Sequence, residues 1–284
     1  MNTSHFDRLS ALLEGAAPRI GIHHAGALSS TSDFPARSGK ALHLHLLLRG
    51  TMRIAWAAGD AVLEGPAIAV LRDDCGHRIE VLPVCPEVTL LCVDAAFEGP
   101  AAALLLMAFA SPRLIALGDE AHELMHVVPL IAAEMEQPRC GQPALLARAG
   151  DILFIGLMRY LVARGQSSRG VFGGLGDPRL ARALVAMHRS PASPWSLESL
   201  ADEAGLSRTA FATGFREHVG ISPGAYLAAL RLDIAERAVE SGQGLKRAAQ
   251  ASGYASTAAL SRALSRKRLK SPPSGAPAPR PPAA

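Results

Sequence analysis

The sequence predicts an α+β protein with an N-terminal β-domain and a C-terminal all-α domain. Three observations support this fold class. Short apolar runs bounded by turn-forming residues follow one another between about residues 40 and 95. Apolar residues recur at helical spacing from 100 to 164, and again among more basic residues from 177 to 272. A chain of 284 residues is long enough to bury two separate cores.

The β-domain is predicted to be a small barrel. Turn formers such as Arg-Gly, Gly-Asp and Glu-Gly-Pro separate its short runs, and such close spacing is typical of antiparallel barrels. The predicted strands cover residues 41–48, 52–57, 67–71, 78–82 and 88–93.

The segment after the barrel is predicted to be helical over 100–109, 119–136 and 143–163. The last helix carries more apolar surface than a lone exposed helix tolerates. We expect it to pack under the barrel or to form the seam of a homodimer, so that a charge at Leu153 or Leu157 disrupts the seam or the fold behind it. Residues 1–165 are therefore expected to form one domain, with this helical segment available for dimerisation.

Two segments are predicted to lack fixed structure. Residues 166–176 are rich in Gly and Ser, which favours a flexible linker. Residues 273–284 are rich in Pro and Ala, which favours a disordered tail. Between them, Asp177 begins the helical unit that ends near Pro272.

The basic excess of the chain lies in its C-terminal third. Residues 1–176 contain 14 basic and 17 acidic side chains, whereas residues 177–270 contain 14 basic and 8 acidic ones. Cations concentrated in one domain favour binding to a polyanion such as DNA, since phosphate contacts release counterions.

The stretch 197–215 reads as a helix-turn-helix. Leu197, Leu200, Ala201 and Ala204 share one face of a first helix, which Gly205 ends because glycine takes a left-handed turn without steric cost. Ser207 is expected to cap the second helix, and Phe211 and Phe215 to pack back on the first.

The same pattern returns about fifty residues later. Leu245, Ala248 and Ala249 mark a weaker first helix, Gly253 and Tyr254 the turn, and Ser256 the cap, with Leu260 and Leu264 in place of the phenylalanines. The amphipathic stretch 222–239 is predicted to be a linker helix between the two motifs. Its length, on the order of 25 Å, lets two helices reach successive major-groove faces of one duplex.

These blocks resemble the DNA-binding domain of the AraC/XylS family of transcriptional regulators. The resemblance rests on Leu-Ala-Asp-Glu-Ala-Gly-Leu-Ser, Phe-Arg-Glu-His-Val-Gly-Ile-Ser-Pro, Tyr-Leu-Ala-Ala-Leu-Arg and Gly-Tyr-Ala-Ser. It implies a DNA-binding domain over 177–272. The second helix-turn-helix motif departs from the family pattern at Arg247, Ala248, Leu260 and Leu264. We therefore expect it to bind phosphates more than bases.

The outward faces of the two second helices supply the candidate DNA-binding residues. They carry short or cationic side chains that suit a major groove. In the first motif they are Arg208, Thr209, Ala212, Thr213 and Arg216, and in the second they are Thr257, Ala258, Ser261, Arg262, Ser265, Arg266 and Lys267. Arg268 and Lys270 are further expected to meet phosphates.

The histidines of the predicted barrel resemble those of a cupin-like sensor domain. His43 and His45 in a His-x-His pattern, with a later His77, could line a ligand pocket or face solvent. Enzymatic cupins add a glutamate to bind a metal, but Arg49 stands near its place and would oppose a cation. We therefore expect a metal-free pocket and no cofactor.

Other chemical motifs are weaker. His122-Glu-Leu-Met-His126 has zinc-protease spacing, yet no suitable third ligand follows, so a solvated helix face is favoured. Cys75, Cys85, Cys92 and Cys140 form no Cys-x-x-Cys pair and are expected to be reduced thiols. No apolar run approaches the length of a membrane span, which favours a cytoplasmic protein.

The favoured function is sequence-specific, double-stranded DNA binding in transcription regulation, with a small-molecule signal sensed by the N-terminal domain. We expect the protein to be a homodimer and not an enzyme. Whether it also contacts RNA polymerase is left open. The alternatives are a metal-dependent cupin enzyme fused to a DNA-binding domain, and an architectural protein that binds DNA without sequence choice.

Overall fold

The computed structural model describes residues 7–82, 87–118, 121–124, 126–165 and 169–270. The described strands are β1 Pro18–Leu28, β2 Ser32–Phe34, β3 Ala41–Arg49, β4 Thr51–Trp56, β5 Gly59–Glu64, β6 Ala67–Arg72, β7 His77–Val81, β8 Val88–Phe97 and β9 Arg113–Ala116. The α-helices are α1 Ser10–Ala16, α2 Ala102–Leu106, α3 Val127–Glu136, α4 Gln142–Ala163, α5 Val171–Gly176, α6 Pro178–Arg189, α7 Leu197–Ala204, α8 Arg208–Val219, α9 Pro223–Glu240, α10 Leu245–Ser252 and α11 Thr257–Lys270.

The N-terminal domain consists of two antiparallel sheets. One has the strand order β1-β8-β3-β6-β9 and the other β2-β7-β4-β5. Strands β1, β2, β5 and β9 lie outside the predicted set: β1, β2 and β9 fall beyond residues 40–95, and β5 falls between two of the predicted strands. β1 alternates half-buried and exposed residues along its whole length, which is the pattern of a strand with one face on the core.

Strand β3 is buried on both faces and divides two apolar clusters. Leu42, Leu44 and Leu46 belong to the cluster that reaches α4, whereas Leu47 belongs to the cluster between the two sheets. Since alternate residues of a strand point to opposite faces, His43 and His45 share the face of Leu47. The sequence left open whether His43 and His45 face a pocket or solvent, and the structure places both in the interior of the β-domain.

The helix predicted over 119–136 is wrong in its first half. Residues His122–Leu124 form a 3-10 turn, and helix α3 begins only at Val127. Pro129 explains the late start, because proline has no N–H to donate and is tolerated in the first turn of a helix.

The flexible linker predicted over 166–176 is also wrong where the structure describes it. Helix α5 covers Val171–Gly176, and Val171, Phe172 and Leu175 are buried. Gly174 allows a close approach, since a Cβ there would lie 2.6 Å from Leu184 Cδ1 and 2.7 Å from Val219 Cγ2. Residues 166–168 and the predicted tail 273–284 lie outside the described residues.

The two helix pairs of the C-terminal domain differ in what they pack against. α5, α6, α7, α8 and the start of α9 contribute to the same apolar cluster as α1, α2, α4 and β3. The pair α10 and α11 packs with the end of α9 in a separate cluster of small and aliphatic residues. The first pair therefore shares its core with the N-terminal domain, and the second pair does not.

The apolar residues of α4 divide between core and surface. Leu153 and Leu157 are fully buried, so a charge at either would disrupt the fold itself rather than a seam between subunits. Ile152 and Ile155 lie on the opposite side, with 54% and 38% of their surfaces exposed. An apolar contact with another molecule through α4 would use these two side chains.

The turn between α7 and α8 depends on Gly205, whose φ is +64° with no atom near the position of a Cβ. We expect Gly205→Ala to destabilise the protein by about 1–2 kcal/mol through left-handed backbone strain alone. Gly214→Ala is the matched control, because Gly214 lies inside α8 with open space around it, and we expect it to stabilise by about 0.5–1 kcal/mol. Urea unfolding followed by circular dichroism measures both. Equal effects would contradict the role given to the Gly205 turn.

Candidate functional site

The first helix pair, α7 and α8, is fixed by its caps and by aromatic packing. The Ser207 side chain accepts a hydrogen bond from the Ala210 N–H at 3.3 Å, as predicted. Phe211 and Phe215 are buried with their ring centroids 5.6 Å apart, and Phe215 meets Tyr226 of α9 at 5.7 Å. α8 is thereby held firmly, with its opposite face outward.

The outward face of α8 holds the first set of candidate DNA-binding residues. Arg208, Thr209, Thr213 and Arg216 are exposed, whereas Ala212 is half-buried. Two cations and two hydroxyls on one accessible helix face can bind phosphates or base edges.

The second helix pair, α10 and α11, has the predicted cap and core. Ser256 accepts a hydrogen bond from the Ala259 N–H at 3.1 Å, and Leu260 and Leu264 are buried in the positions expected for them. Leu245 differs from its prediction, since 42% of its surface is exposed in the first turn of α10. Leu197 of α7 is similarly exposed, at 44%.

The outward face of α11 holds the second set. Thr257, Ala258, Arg262, Ser265 and Arg266 are exposed, and Ser261 is half-buried. The side chains of Arg268 and Lys270 lie outside the described part of the chain.

Lys267 does not belong to this open face. Its ammonium group donates to Asp233 at 2.8 Å and to Glu236 at 2.5 Å, and both carboxylates lie on α9. The prediction that Lys267 is available for phosphate is therefore wrong, because two carboxylates already neutralise it. Its contacts fix α11 against α9 instead.

Arg231 also orients α9, a role that the sequence did not predict. Arg231 donates from Nε to the Pro191 carbonyl at 2.8 Å and from Nη2 to the Ser193 carbonyl at 2.6 Å. These bonds tie the middle of α9 to the loop between α6 and α7. With its 18 residues α9 is about 27 Å long, and both helix pairs pack against it.

The N-terminal domain contains a pocket of buried histidines. His43, His45 and His77 are exposed by 5% or less, and one ring nitrogen of each lies within 4.8 Å of one from the others. The Phe34 ring stacks on His77 with centroids 4.7 Å apart and covers one side. A cavity of about 490 Å³ borders Phe34 and His77 from outside.

Burial keeps these imidazoles neutral. It lowers the pKa of His45 well below its usual range and that of His77 to about 4. It also raises the pKa of the Cys92 thiol to about 12, so that thiol is protonated at neutral pH. The pocket therefore offers uncharged nitrogen lone pairs and N–H groups.

Strand β8 adds two side chains that the sequence analysis did not place here. Cys92 lies opposite His45 in the strand register, and Asp94 lies opposite His43. His45 Nδ1 is 3.2 Å from Cys92 Sγ, and His43 Nε2 is 3.4 Å from Asp94 Oδ1. A carboxylate is thus present beside the histidines although the pattern after His45 lacks a glutamate.

Arg49 does not oppose a cation in this pocket. It ends β3, its side chain is largely exposed, and it pairs with Glu136 of α3. Arg49 therefore gives no reason to exclude a metal from the pocket. The donor set of three neutral imidazoles and one nearby carboxylate fits a transition-metal ion.

Two other motifs do not assemble a site. His122 lies in the 3-10 turn and His126 just precedes α3, so the two do not share one helix face. Cys75, Cys92 and Cys140 are free thiols, and Cys85 lies outside the described residues. Among the described residues, no helix is both long and apolar enough to cross a membrane.

Both domains match known families. Residues 7–163 match a family described as Cupin, and residues 200–275 match one described as a helix-turn-helix domain. A cupin domain followed by this DNA-binding domain defines a class of transcription regulators. The chain belongs to the AraC family of transcriptional regulators, which confirms the resemblance and favours a regulator over the fused cupin enzyme.

Individual relatives carry related names. The HTH-type transcriptional regulator AlkR of Acinetobacter baylyi is 34% identical over 143 residues, which cover 50% of this chain and 47% of AlkR. The RCS-specific HTH-type transcriptional activator RclR of Escherichia coli is 27% identical over 81% of this chain and 82% of its own. The chain spans less than half the length of several curated relatives that it matches.

Among solved structures, the chain matches that of ToxT from Vibrio cholerae. It covers 87% of this chain and 93% of its own at 11% identity, with a TM-score of 0.35.

The ion pairs of Lys267 predict a stability effect. Lys267→Ala should lower the free energy of unfolding by about 1 kcal/mol, because Asp233 and Glu236 would be left without their shared cation. Lys246→Ala is the control, since Lys246 is exposed on α10, and it should change stability by no more than a few tenths of a kcal/mol, roughly the usual surface effect. Thermal unfolding of both variants beside the parent protein checks this. A Lys267→Ala variant as stable as the control would contradict the α9–α11 contact.

Proposed function

We propose that the protein binds specific sites on double-stranded DNA through two reading helices and regulates transcription from them. The observation that supports this is the pair of exposed, cation-bearing faces on α8 and α11, held apart by α9. The length of α9, about 27 Å, is comparable to the 34 Å repeat of the major groove, so helices near its two ends can enter successive grooves.

The two faces are proposed to have unequal roles. α8 presents Arg208 and Arg216 beside threonines, a set able to bind guanine and phosphate, on a helix held by the shared core. α11 presents Arg262 and Arg266 among serines on a helix with a smaller core of its own. We assign base reading mainly to α8 and phosphate contacts mainly to α11, with Arg262 able to reach a guanine.

The histidine pocket is proposed as the sensory site for a small effector. Its three histidines are buried, and His43 and His45 lie on β3, whose other face contributes to the core shared with the first helix pair. A change at His43 or His45 therefore has a packed route toward α8. RNA polymerase contact is part of the same proposal for a regulator bound at a promoter.

DNA selection from random duplexes tests the reading role. We expect selection to return a consensus, and the protein to prefer it over a scrambled duplex by about a thousandfold or more at fixed salt. Arg208→Ala should cost about 1–3 kcal/mol on the consensus and relax the choice at one position. Arg266→Ala should weaken binding to both duplexes alike and reduce the salt slope by about one.

Two outcomes would contradict this assignment. Selection without a consensus would leave an architectural DNA-binding protein. A change of sequence preference in Arg266→Ala, with none in Arg208→Ala, would reverse the roles given to the two helices.

We further propose a homodimer that contacts through the exposed side of α4. One pair of reading helices covers a limited site, and a second copy held nearby raises the effective concentration of the first. Ile152 and Ile155 form the exposed apolar part of α4, and α3, which packs against α4, carries the exposed Leu130.

Charge substitutions on the two sides of α4 test the dimer. Ile152→Asp should give a folded monomer with weaker DNA binding, because its side chain is mostly exposed. Leu153→Asp should lower the helix content of the protein whether it sediments as a monomer or a dimer, because the Leu153 side chain is fully buried. Sedimentation beside circular dichroism measures both. The dimer proposal would be contradicted if the parent protein sedimented as a monomer at micromolar concentration and still bound its selected site tightly.

A further inference from the structure

The loop between α6 and α7 is held to the first helix pair. This 190–195 loop has the sequence Ser-Pro-Ala-Ser-Pro-Trp, and each of its proline rings restricts the backbone. The Ser193 N–H and Trp195 Nε1 both donate to the Ser190 carbonyl, at 3.1 Å and 2.8 Å. Trp195 is partly buried against the core that contains α7 and α8. The loop is therefore braced internally and anchored to the core of the first pair.

Arg231 attaches α9 to this loop at two points. Its Nε donates to the Pro191 carbonyl at 2.8 Å and its Nη2 to the Ser193 carbonyl at 2.6 Å. A guanidinium group is a planar fork of donors, so two bonds made at once fix the direction of the side chain as well as its position. A lysine at this place would offer a single ammonium group on a flexible chain. The bonds of Arg231 thus hold the angle between α9 and the first helix pair.

The turn of the second helix pair packs on the same loop. Gly253 ends α10 with a φ of +75°, and a Cβ added there would lie 2.7 Å from Ala192 Cα and 3.0 Å from the Ala192 carbonyl oxygen. The backbones of the turn and the loop are therefore in direct contact. Gly205 ends α7 in the same manner, but no described atom lies within 4 Å of the position of its Cβ. Of these two turns, only the second is packed against a neighbouring segment.

The two helix pairs, which have separate apolar cores, are thus joined through one loop. This joint consists of the 190–195 loop, Arg231 and Gly253. The ion pairs of Lys267 connect α11 to α9, the helix that Arg231 orients. With α10 held at its turn and α11 held to α9, the second pair has little freedom to rotate relative to the first.

We propose that this joint fixes the separation and angle of α8 and α11, so that the protein accepts only one spacing between the bases read by α8 and the guanine contacted by Arg262. The inference rests on the DNA-binding function proposed above. Arg231 and Gly253 are positioning residues in this scheme, because they set specificity through the two helices and not through contacts of their own with DNA.

Only the base contacts respond to a change of spacing. One base pair inserted within a site moves the part beyond it by about 3.4 Å along the duplex and by about 35° around it. Phosphates repeat at every base pair, so a rigid protein meets the same backbone as before. The guanine of Arg262 is displaced, and its contact is lost unless α11 can follow it.

Duplexes of altered spacing test the joint. Full-length protein is titrated with its selected duplex and with duplexes that carry one base pair more or fewer between the α8 and α11 segments. We expect the parent protein to lose about tenfold in affinity on either altered duplex, the value of one base contact. Arg231→Ala should reduce this loss to about threefold or less, because the cost is then mainly that of ordering a mobile α11. Arg231→Lys should behave like Arg231→Ala, since it keeps the charge and loses the fork.

Matched variants separate the joint from general effects on binding. Arg237→Ala removes an arginine of α9 that lines a cavity with Glu240 and not the loop, and it should keep the full loss on altered spacing. Gly253→Ala should reduce the loss, because its Cβ would push the turn away from Ala192. Gly205→Ala, with the same left-handed strain and open space around it, should keep the loss. Circular dichroism confirms the fold of each variant.

A second measurement needs no DNA. Residual dipolar couplings of backbone amides report how each helix is oriented in the full-length protein. We expect α8 and α11 of the parent protein to fit one alignment tensor, and those of Arg231→Ala to need two.

The outcomes are distinct. Equal affinity of the parent protein for all three spacings, or separate alignment tensors for its α8 and α11, would overturn the joint. An Arg231→Lys variant that kept the full loss on altered spacing would do the same, because charge alone would then suffice. Selection without a consensus, with one tensor for both helices, would contradict the proposed function and support the joint.

Discussion

The structure depends most on one continuous apolar core that crosses the boundary between the two domains. Helix α5 lies at its centre, packed between α4, α6 and α8, and the Phe172 ring meets Phe109 of the N-terminal domain at 5.7 Å. Polar bonds accompany this packing, since Arg8 donates to the Leu175 carbonyl and the Gly170 N–H donates to the His218 carbonyl. The first helix pair is thus oriented by the N-terminal domain as well as by its own turn.

This arrangement changes how the two domains communicate. A flexible tether would let α8 and α11 move independently of the N-terminal domain, and only effective concentration would link them. A shared core instead passes a displacement of β3 or α4 directly to the residues beneath α8, because packed interiors have little free volume. The histidine pocket and α8 are therefore connected through side-chain packing.

The features that the sequence predicts are those decided by local chemistry. Ser207 and Ser256 cap helices because of the backbone that follows each of them, and Gly205 ends α7 because of its own φ. Helix α5 could not be predicted in this way. A segment rich in glycine is typical of linkers, and this one is a helix buried by its chain neighbours α4 and α6 and by the more distant α8.

Only part of the histidine pocket could be predicted from the sequence. The alternation of His43 and His45 places both on one face of a strand, but the sequence alone does not fix which face is buried. Asp94 and Cys92 enter the pocket through the register of β3 with β8, about fifty residues away along the chain. Cross-strand pairing of that kind depends on the whole sheet, so no local pattern indicated the carboxylate.

The separate core of α10 and α11 has a consequence for cooperativity. Ala235, Ala238, Ala248 and Ala249 contribute little apolar area, and the larger buried side chains described there are Leu260 and Leu264, with Leu232, Val239 and Tyr254 partly buried beside them. A region with so small a core opens locally at a lower free energy than the rest of the molecule, as an unfolding unit of its own. Amide hydrogens of α10 and α11 would then exchange with solvent while those of α8 stay protected. DNA that binds the folded second pair would raise the free energy of this local opening and so slow the exchange of the amide hydrogens of α10 and α11.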